Sequence, residues 1–596
     1  MLLFVHPFVL FKAIMTAEES KHNRKIFEQI WNDELDRVNR LKSQLPLDSK
    51  KRESLRPSLQ RALIVDFFRT TWIVQPLMFA SSSARIIMSV ALGFLIQSFI
   101  DKSGDGYWWA GVLIFCNAVV LFEHHHVFFI TWRKGMQLRI GAVASIFAKS
   151  LRLNSVGGGE AATSTGQIMN LVSNDVERFM LTTLFISYVI WAPIQAIAIL
   201  VIGLYLIGPA FAIGIGLLLF VFVPLQIYLS KRFASLRSKV ASITDLRMTL
   251  VSQAIGGVRV MKMSGWENEL QKRIDDVRAS EVAQIYRANK LKALNEALFF
   301  SVNVVISISI FVSHVFIFDG TLTTRNVFTI LSLMSVLQIE LTKHLSLGIM
   351  AGSECWVSVR RIQKYLESPE LHVDNDPTSL SHSDCAIKLT DVTCYWDGTK
   401  SSERNEEVKY GRTVALSKVN LSLKKNGDLL FIVGAVGSGK SALLYALAGE
   451  LAPSNGTVNR SYKSLAYASQ SPWIMNGTIQ SNILMGRKLD ERFYAEVVQA
   501  CGLGQDFTQF VDGDETIVGD RGVQCSGGQK ARIGLARALY RDAEVLLLDD
   551  PLSAVDSRVG RLIYYSAIQD LSYKRGKCVV LGKLPVYLVC LALQYT

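Results

Sequence analysis

Charge is scarce in this chain and unevenly distributed. Only 19% of its 596 residues are charged, and no Asp, Glu, Lys or Arg lies between Arg178 and Lys231. A soluble globular chain carries about 25% charge, so a wholly soluble protein is excluded. Half of the residues are hydrophobic, which excludes disorder and collagen-like composition. Cysteines stand singly (Cys116, Cys355, Cys385, Cys394, Cys501, Cys525, Cys578, Cys590) with no C-x-x-C pair. That pattern excludes a zinc ribbon or disulfide framework and leaves reduced thiols. All nine histidines lie at or before His382, so no histidine can act anywhere in the last third of the chain.

What is present is a set of long apolar runs. A bilayer span needs about 20 apolar residues. The charge-free stretch 179–230 is long enough to cross twice, with Gly208-Pro209 as the break for a hairpin. Further spans are expected near 79–100, 107–131, 296–318 and 326–350, giving about six crossings. The net charge of +13 is concentrated in two long loops, 131–180 and 231–292, which carry Arg133, Lys134, Arg139, Lys149 and Arg152, and Lys231, Arg232, Arg237, Lys239, Arg259 and Lys262. The positive-inside rule puts both loops and both termini in the cytosol. The charge therefore reads as a topology signal, and nucleic acid is not an expected partner. Both loops keep a helical apolar rhythm and read as extensions of the spans. Met1–Thr16 runs into charged, helix-like sequence rather than a cleavage site, so a signal peptide is not expected.

Beyond about residue 369 a polar linker gives way to short β-rich runs alternating with helices, the pattern of an α/β domain. There Gly434-Ala435-Val436-Gly437-Ser438-Gly439-Lys440-Ser441 fits G-x-x-x-x-G-K-[ST]. It follows the apolar strand 429–433 and opens a helix, the context that makes the pattern a phosphate loop rather than an ordinary glycine turn. Backbone N–H groups would converge on phosphates, Lys440 would reach the β- and γ-phosphates, and Ser441 would ligate Mg²⁺. About a hundred residues on, Val545–Asp549 is an apolar run delivering a carboxylate, the form of a second Mg²⁺ ligand. Between them, Cys525-Ser526-Gly527-Gly528-Gln529 opens another helix and reads as a second anion site.

S-G-G-Q together with the phosphate loop resembles the nucleotide-binding domain of ABC transporters. The strings Val518-Gly519-Asp520-Arg521-Gly522 and Asp549-Asp550-Pro551-Leu552-Ser553-Ala554-Val555-Asp556 resemble the first such domain of the multidrug-resistance-associated (C) subfamily. So do Thr165–Asp175 and Gly257–Met263 in the membrane half, which resemble that subfamily's coupling loops. The resemblance covers roughly residues 20 to 580. It implies a helical membrane bundle of exporter type joined to an α/β P-loop domain that is incomplete at its end. The divisions it implies are a lasso-like segment over 1–60, a membrane domain over 61–355, a linker over 356–385 and the nucleotide-binding domain over 386–596. It implies ATP and Mg²⁺ as cofactors, with Gln470 touching the metal and Trp396 (Tyr395 in reserve) stacking on adenine. Ser526, Gly527, Gly528 and Gln529 would close over ATP held by a second ABC half, supplied in cis or in trans. The implied mechanism is alternating access driven by ATPase turnover, with an amphipathic organic anion or conjugate as cargo, across the plasma or vacuolar membrane.

Three departures from the family pattern stand out. Asp550 replaces the glutamate that positions attacking water, and a misplacement of about 1 Å can cost on the order of a hundredfold. Cys525 replaces a leucine and should pack as a small hydrophobe. The switch histidine is missing: the strand-like Cys578–Leu581 leads to Leu584 where it belongs, and the apolar tail 586–596 reads as a truncated or misread gene model or a spliced isoform. These departures favour an alternative reading, a regulatory or defective half that binds ATP without turnover. An ATP-gated channel, a third reading, has no pore-specific feature in the sequence. His124-His125-His126 cannot converge on one metal from consecutive helical positions and are expected to face a water-filled cavity. Arg85, Lys343 and His344 are expected in the bundle interior, where a cationic lining would suit an anionic cargo.

Overall fold

The computed structural model describes residues 19–44, 55–102, 104–153, 165–368, 370, 385–396, 413–425, 427–435, 437–519 and 525–582. They form two compact units, one helical and one containing all the sheet.

The helical unit begins with α1 (Ser20–Ser43) and α2 (Leu59–Thr70). α1 buries Phe27 and Val38 rather than standing solvated, and Phe27 lies against Gly141. Gln363 accepts from the Leu59 backbone N–H at 3.0 Å and donates to the Pro57 carbonyl at 3.0 Å, which ties the entry segment to the last helix of the unit. Four long helical runs follow: α3 (Val74–Ile100), α4 (Gly106–Ser150), α5 (Gly166–Ile207) and α6 (Pro209–Gly256). Between α5 and α6 the chain turns on Gly208, at φ +70°, and Pro209 opens the next helix at a position that needs no N–H. The short α7 (Val258–Ser264) leads into α8 (Glu267–Phe316). α4, α6 and α8 run for 45, 48 and 50 residues. At 1.5 Å per residue these are roughly 70 Å long, about twice the hydrocarbon thickness. Over 131–150 and over most of 231–292 the cation-rich loops are therefore helical extensions of the spans.

Among the described residues five helices, α3, α4, α5, α6 and α8, are long and apolar enough to cross a membrane. The expected span at 326–350 is helical but does not join them. α9 (Thr324–Gln338) passes through a π-helical turn, Ile339–His344, into α10 (Leu345–Leu366), and that turn carries Glu340, Lys343 and His344. The first residues of the expected linker 356–385 are helical, since α10 continues to Leu366 on an amphipathic pattern that buries Val359, Ile362 and Tyr365. The core of the unit, where α5, α6, α8 and α9 meet, is Ile199, Phe211, Ile306, Ile310, Ile330 and Leu333. Large side chains such as Phe99, Trp108, Phe115, Tyr205, Phe220 and Phe316 lie exposed on its outer surface, which suits hydrocarbon and not water.

In the second unit, β1 (Cys385–Tyr395), β2 (Val414–Lys424) and β4 (Asn455–Arg460) form an antiparallel sheet in the order β2-β1-β4. β3 (Leu429–Ile432), β5 (Leu465–Ala468), β8 (Val545–Asp549) and β9 (Cys578–Gly582) form a parallel sheet in the order β3-β9-β8-β5. Alternation along the parallel strands builds two cores. Val545, Leu547, Cys578 and Val580 face α11 (Lys440–Ala448), whereas Leu546, Leu548, Val579 and Leu581 face α14 (Gly527–Tyr540). The remaining elements include α12 (Ile479–Leu484), α13 (Glu491–Ala500) and the two-residue strands β6 (Gly477–Thr478) and β7 (Ile517–Val518). The expected strand 578–581 is formed, in the middle of the sheet. Leu584 and the tail 586–596 lie outside the described residues, as do Val436 and Asp520–Gly522.

Candidate nucleotide site

Because the four strands of the second sheet are parallel, their carboxyl ends share one edge, where open α/β sheets place ligands. β3 runs into the phosphate loop, β8 ends on Asp549, β5 leads to Gln470, and β9 ends at Gly582 between the first two. Sequence order does not show this convergence, which comes from β9 inserting between β3 and β8.

The loop after β3 folds as a cradle. Gly437 and Gly439 have φ of +84° and +90°, the left-handed region open to glycine without steric cost. A side chain at Gly434 would meet Ser438 Oγ at 2.7 Å and fill the loop. Lys440 Nζ donates to the carbonyl oxygens of Gly434 and Ala435 at 3.0 and 2.6 Å, so its ammonium sits on the cradle. Ser441 follows in the first turn of α11. This donor set fits a polyphosphate: a cation, a helix N-terminus and converging backbone N–H groups. Trp396 is half-buried against the β1–β2 core, and its N–H bonds the Thr413 carbonyl at 3.1 Å. Two residues on, Ala415 O is 3.1 Å from where a Gly439 Cβ would be. The first residues of β2 thus join the aromatic to the phosphate loop.

Asp549 is buried at the tip of β8, and Tyr467 Oη lies 3.4 Å from its Oδ2. Burial and the Asp549 charge both push the Tyr467 hydroxyl up, burial more strongly, so it is a donor at all physiological pH. Asp550 has φ +52°, and its backbone N–H bonds Gly582 O at 2.9 Å. Asp is several-fold enriched in that left-handed region among non-glycine residues, which gives a backbone reason for an aspartate here. Gln470 and Asp550 line one cavity of about 190 Å³, with Ser469, Trp473 and Arg537.

The S-G-G-Q segment carries structure that the sequence reading missed. Ser526 is the N-cap of α14, accepting from Gln529 N at 3.2 Å, while Gln529 Oε1 accepts from Ser526 N at 2.9 Å. This is a capping box, recognisable as S-x-x-Q before an apolar helix. Gln529 Nε2 also donates to Asp506, which Arg532 holds through both oxygens. Nothing in the local sequence announces Asp506. A Cβ on Gly528 would lie 2.9 Å from Ala554 O, so the helix start packs tightly on the turn after Asp550. Cys525 is buried in the α14 core, as expected of a small hydrophobe, and burial raises its thiol pKa.

Two family models match this chain: the ABC transporter transmembrane region over residues 73–341, and the ABC transporter domain over 416–553. ATP-binding cassette sub-family C member 4 of Mus musculus is 35% identical over 584 residues, 96% of this chain and 41% of its own. The chain belongs to the C subfamily of ABC transporters. It is also 31% identical to the probable multidrug resistance-associated protein lethal(2)03659 of Drosophila melanogaster, over 89% of this chain and 39% of the relative. The metal resistance protein YCF1 of Saccharomyces cerevisiae is 34% identical over 73% of this chain and 28% of its own. This ABC transporter chain thus spans about two fifths or less of the length of these relatives. It is a multi-pass membrane protein with an ATP-binding domain.

One sequence expectation for the membrane half needs correction. Arg85 does not give the bundle a cationic lining, because Glu340 pairs with it directly and Glu123 lies 4.0 Å away. His344 is drawn inward by Glu340 at 3.1 Å, and Lys343 is exposed. The three histidines are exposed, His126 Nδ1 lying 2.8 Å from the Phe122 carbonyl, and no group of three or more His, Cys, Asp or Glu placed to hold a metal occurs among the described residues.

Proposed function

We propose that this chain is half of an ATP-driven exporter that moves amphipathic organic anions or conjugates by alternating access. The observation that carries the reading is the convergence of Lys440, Asp549, Gln470 and Asp550 on one sheet edge, in a chain whose other unit is long apolar helices. When bound, ATP supplies the free energy of phosphoryl transfer and Mg²⁺ neutralises developing charge. Lys440 and the backbone of the phosphate loop, Gly434 to Gly439, hold the phosphates. Ser441, Asp549 and Gln470 hold the metal, and Trp396 stacks on the base. Tyr467 fixes the Asp549 carboxylate, and Asp550 orients water from a strained backbone turn. Ser526 to Gln529, capped and tied to Asp506, form a rigid face that serves ATP held on a second nucleotide-binding domain. Segments 167–175 and 258–267 carry its closure to the helices, with the nucleotide-binding domain in the cytosol of a plasma- or vacuolar-membrane protein.

A second reading, ATP binding without turnover, is favoured by one observation: Asp550 stands where hydrolysis would need a longer carboxylate. ATP-dependent uptake of a glutathione conjugate into sealed inside-out vesicles tests both. Uptake that requires co-expression of a second half supports the exporter reading. ATP binding without uptake in either setting supports the regulatory one.

A further inference from the structure

We propose that Glu123, in the middle of α4, is a proton-binding site of the membrane unit. Its carboxylate is 2% exposed, and neither oxygen has a hydrogen-bond partner. The nearest cation is Arg85 of α3, at 4.0 Å, and that guanidinium is already committed to Glu340. Glu340, 3% exposed, belongs to the π-helical turn after α9 and also receives His344 at 3.1 Å. The groups facing Glu123 are Arg85 and Ser81 from α3, Tyr188 from α5, and Glu340 and His344 from the turn. His124 is its exposed neighbour on α4. Ser81 spends its hydroxyl on the Met78 carbonyl at 3.2 Å, and Tyr188 stacks on His344 with centroids 4.6 Å apart.

Arg85 is bonded to Glu340 and neither oxygen of Glu123 has a hydrogen-bond partner, so an ionised Glu123 would be an unpaired negative charge among apolar helices. An uncompensated buried charge there is costly. An organic ammonium cannot reach carboxylates this covered without parting the helices, so the compensating cation is a proton. It resides on Glu123, because Glu340 already has the guanidinium and the imidazole. Removing it would set a second negative charge beside Glu340 and push α4 away from α3 and the α9–α10 turn. Proton release is thereby coupled to separation of these helices.

The full chain in lipid nanodiscs tests this by infrared spectroscopy at neutral pH. The expected result is the carbonyl stretch of a neutral buried carboxyl, shifted in D₂O, lost in Glu123→Gln and retained in Glu340→Gln. Glu123→Asp, which keeps the carboxyl, should move the band without removing it and serves if the glutamine variant does not fold. Thermal stability of the wild type should fall as pH rises above about 4.3, where the unfolded-state glutamate ionises and the folded one does not, with that dependence missing from Glu123→Gln. Absence of the band in the wild type, its survival in Glu123→Gln, or its loss in Glu340→Gln instead would overturn the proposal.

Discussion

Lys440 with its ammonium on the loop's own carbonyls, and Asp550 at φ +52°, show how single residues prepare the nucleotide site. Lengthening the carboxylate in Asp550→Glu should raise ATP turnover of the paired transporter by roughly tenfold to a hundredfold. The same change should lower thermal stability by about 1 kcal/mol, since the turn is left-handed. Phosphate release and a melting curve on the same sample would check both. Asp506→Ala strands Arg532, whose side chain is 13% exposed. Breaking a buried pair costs about 3–5 kcal/mol, so the variant should melt well below the wild type by calorimetry. These residues differed in how legible they were. The phosphate loop and Asp549 announce themselves because their chemistry is local. Asp506 and Arg532 are 26 positions apart, and Arg85 and Glu340 are 255 apart. No local pattern encodes such pairings, which is why Arg85 read as a free cation.

Among the elements, the extensions of α6 and α8 beyond their apolar spans are joined by one carboxylate. Glu281 on α8 accepts from Thr244 at 2.6 Å and Arg247 at 2.8 Å on α6, and from its neighbour Arg278 at 2.6 Å. Those bonds, Thr244 first, hold its pKa down to about 2. Because the folded pKa lies below the unfolded one, the tie is fully present above about pH 4.3 and is lost as pH falls through about 2. Glu281→Gln should therefore increase hydrogen exchange in both extensions at neutral pH, with little change in the α14 helix. Most elements were legible because long apolar runs mark the spans and short apolar runs mark the buried parallel strands. The exception is the run after Thr324, where Glu340 and His344 face inward through a π-turn and a sequence window simply records a long helix.

For the whole molecule, exposed aromatics along the long helices and the shared strand edge of the second unit describe a membrane body and an ATP-binding domain in one chain. The order of motifs disclosed that partnership, while the placement of β9 between β3 and β8 did not, since parallel pairing depends on contacts far along the chain. The most direct measurement of the central claim is equilibrium binding of a fluorescent ATP analogue with Mg²⁺ to the full chain in nanodiscs, wild type against Lys440→Ala. A charge-assisted hydrogen bond contributes about 1.5–3 kcal/mol, so the variant should bind roughly tenfold to a hundredfold more weakly. Saturable wild-type binding with that loss is the predicted result. Absence of saturable binding, or equal affinity in both proteins, would contradict the account.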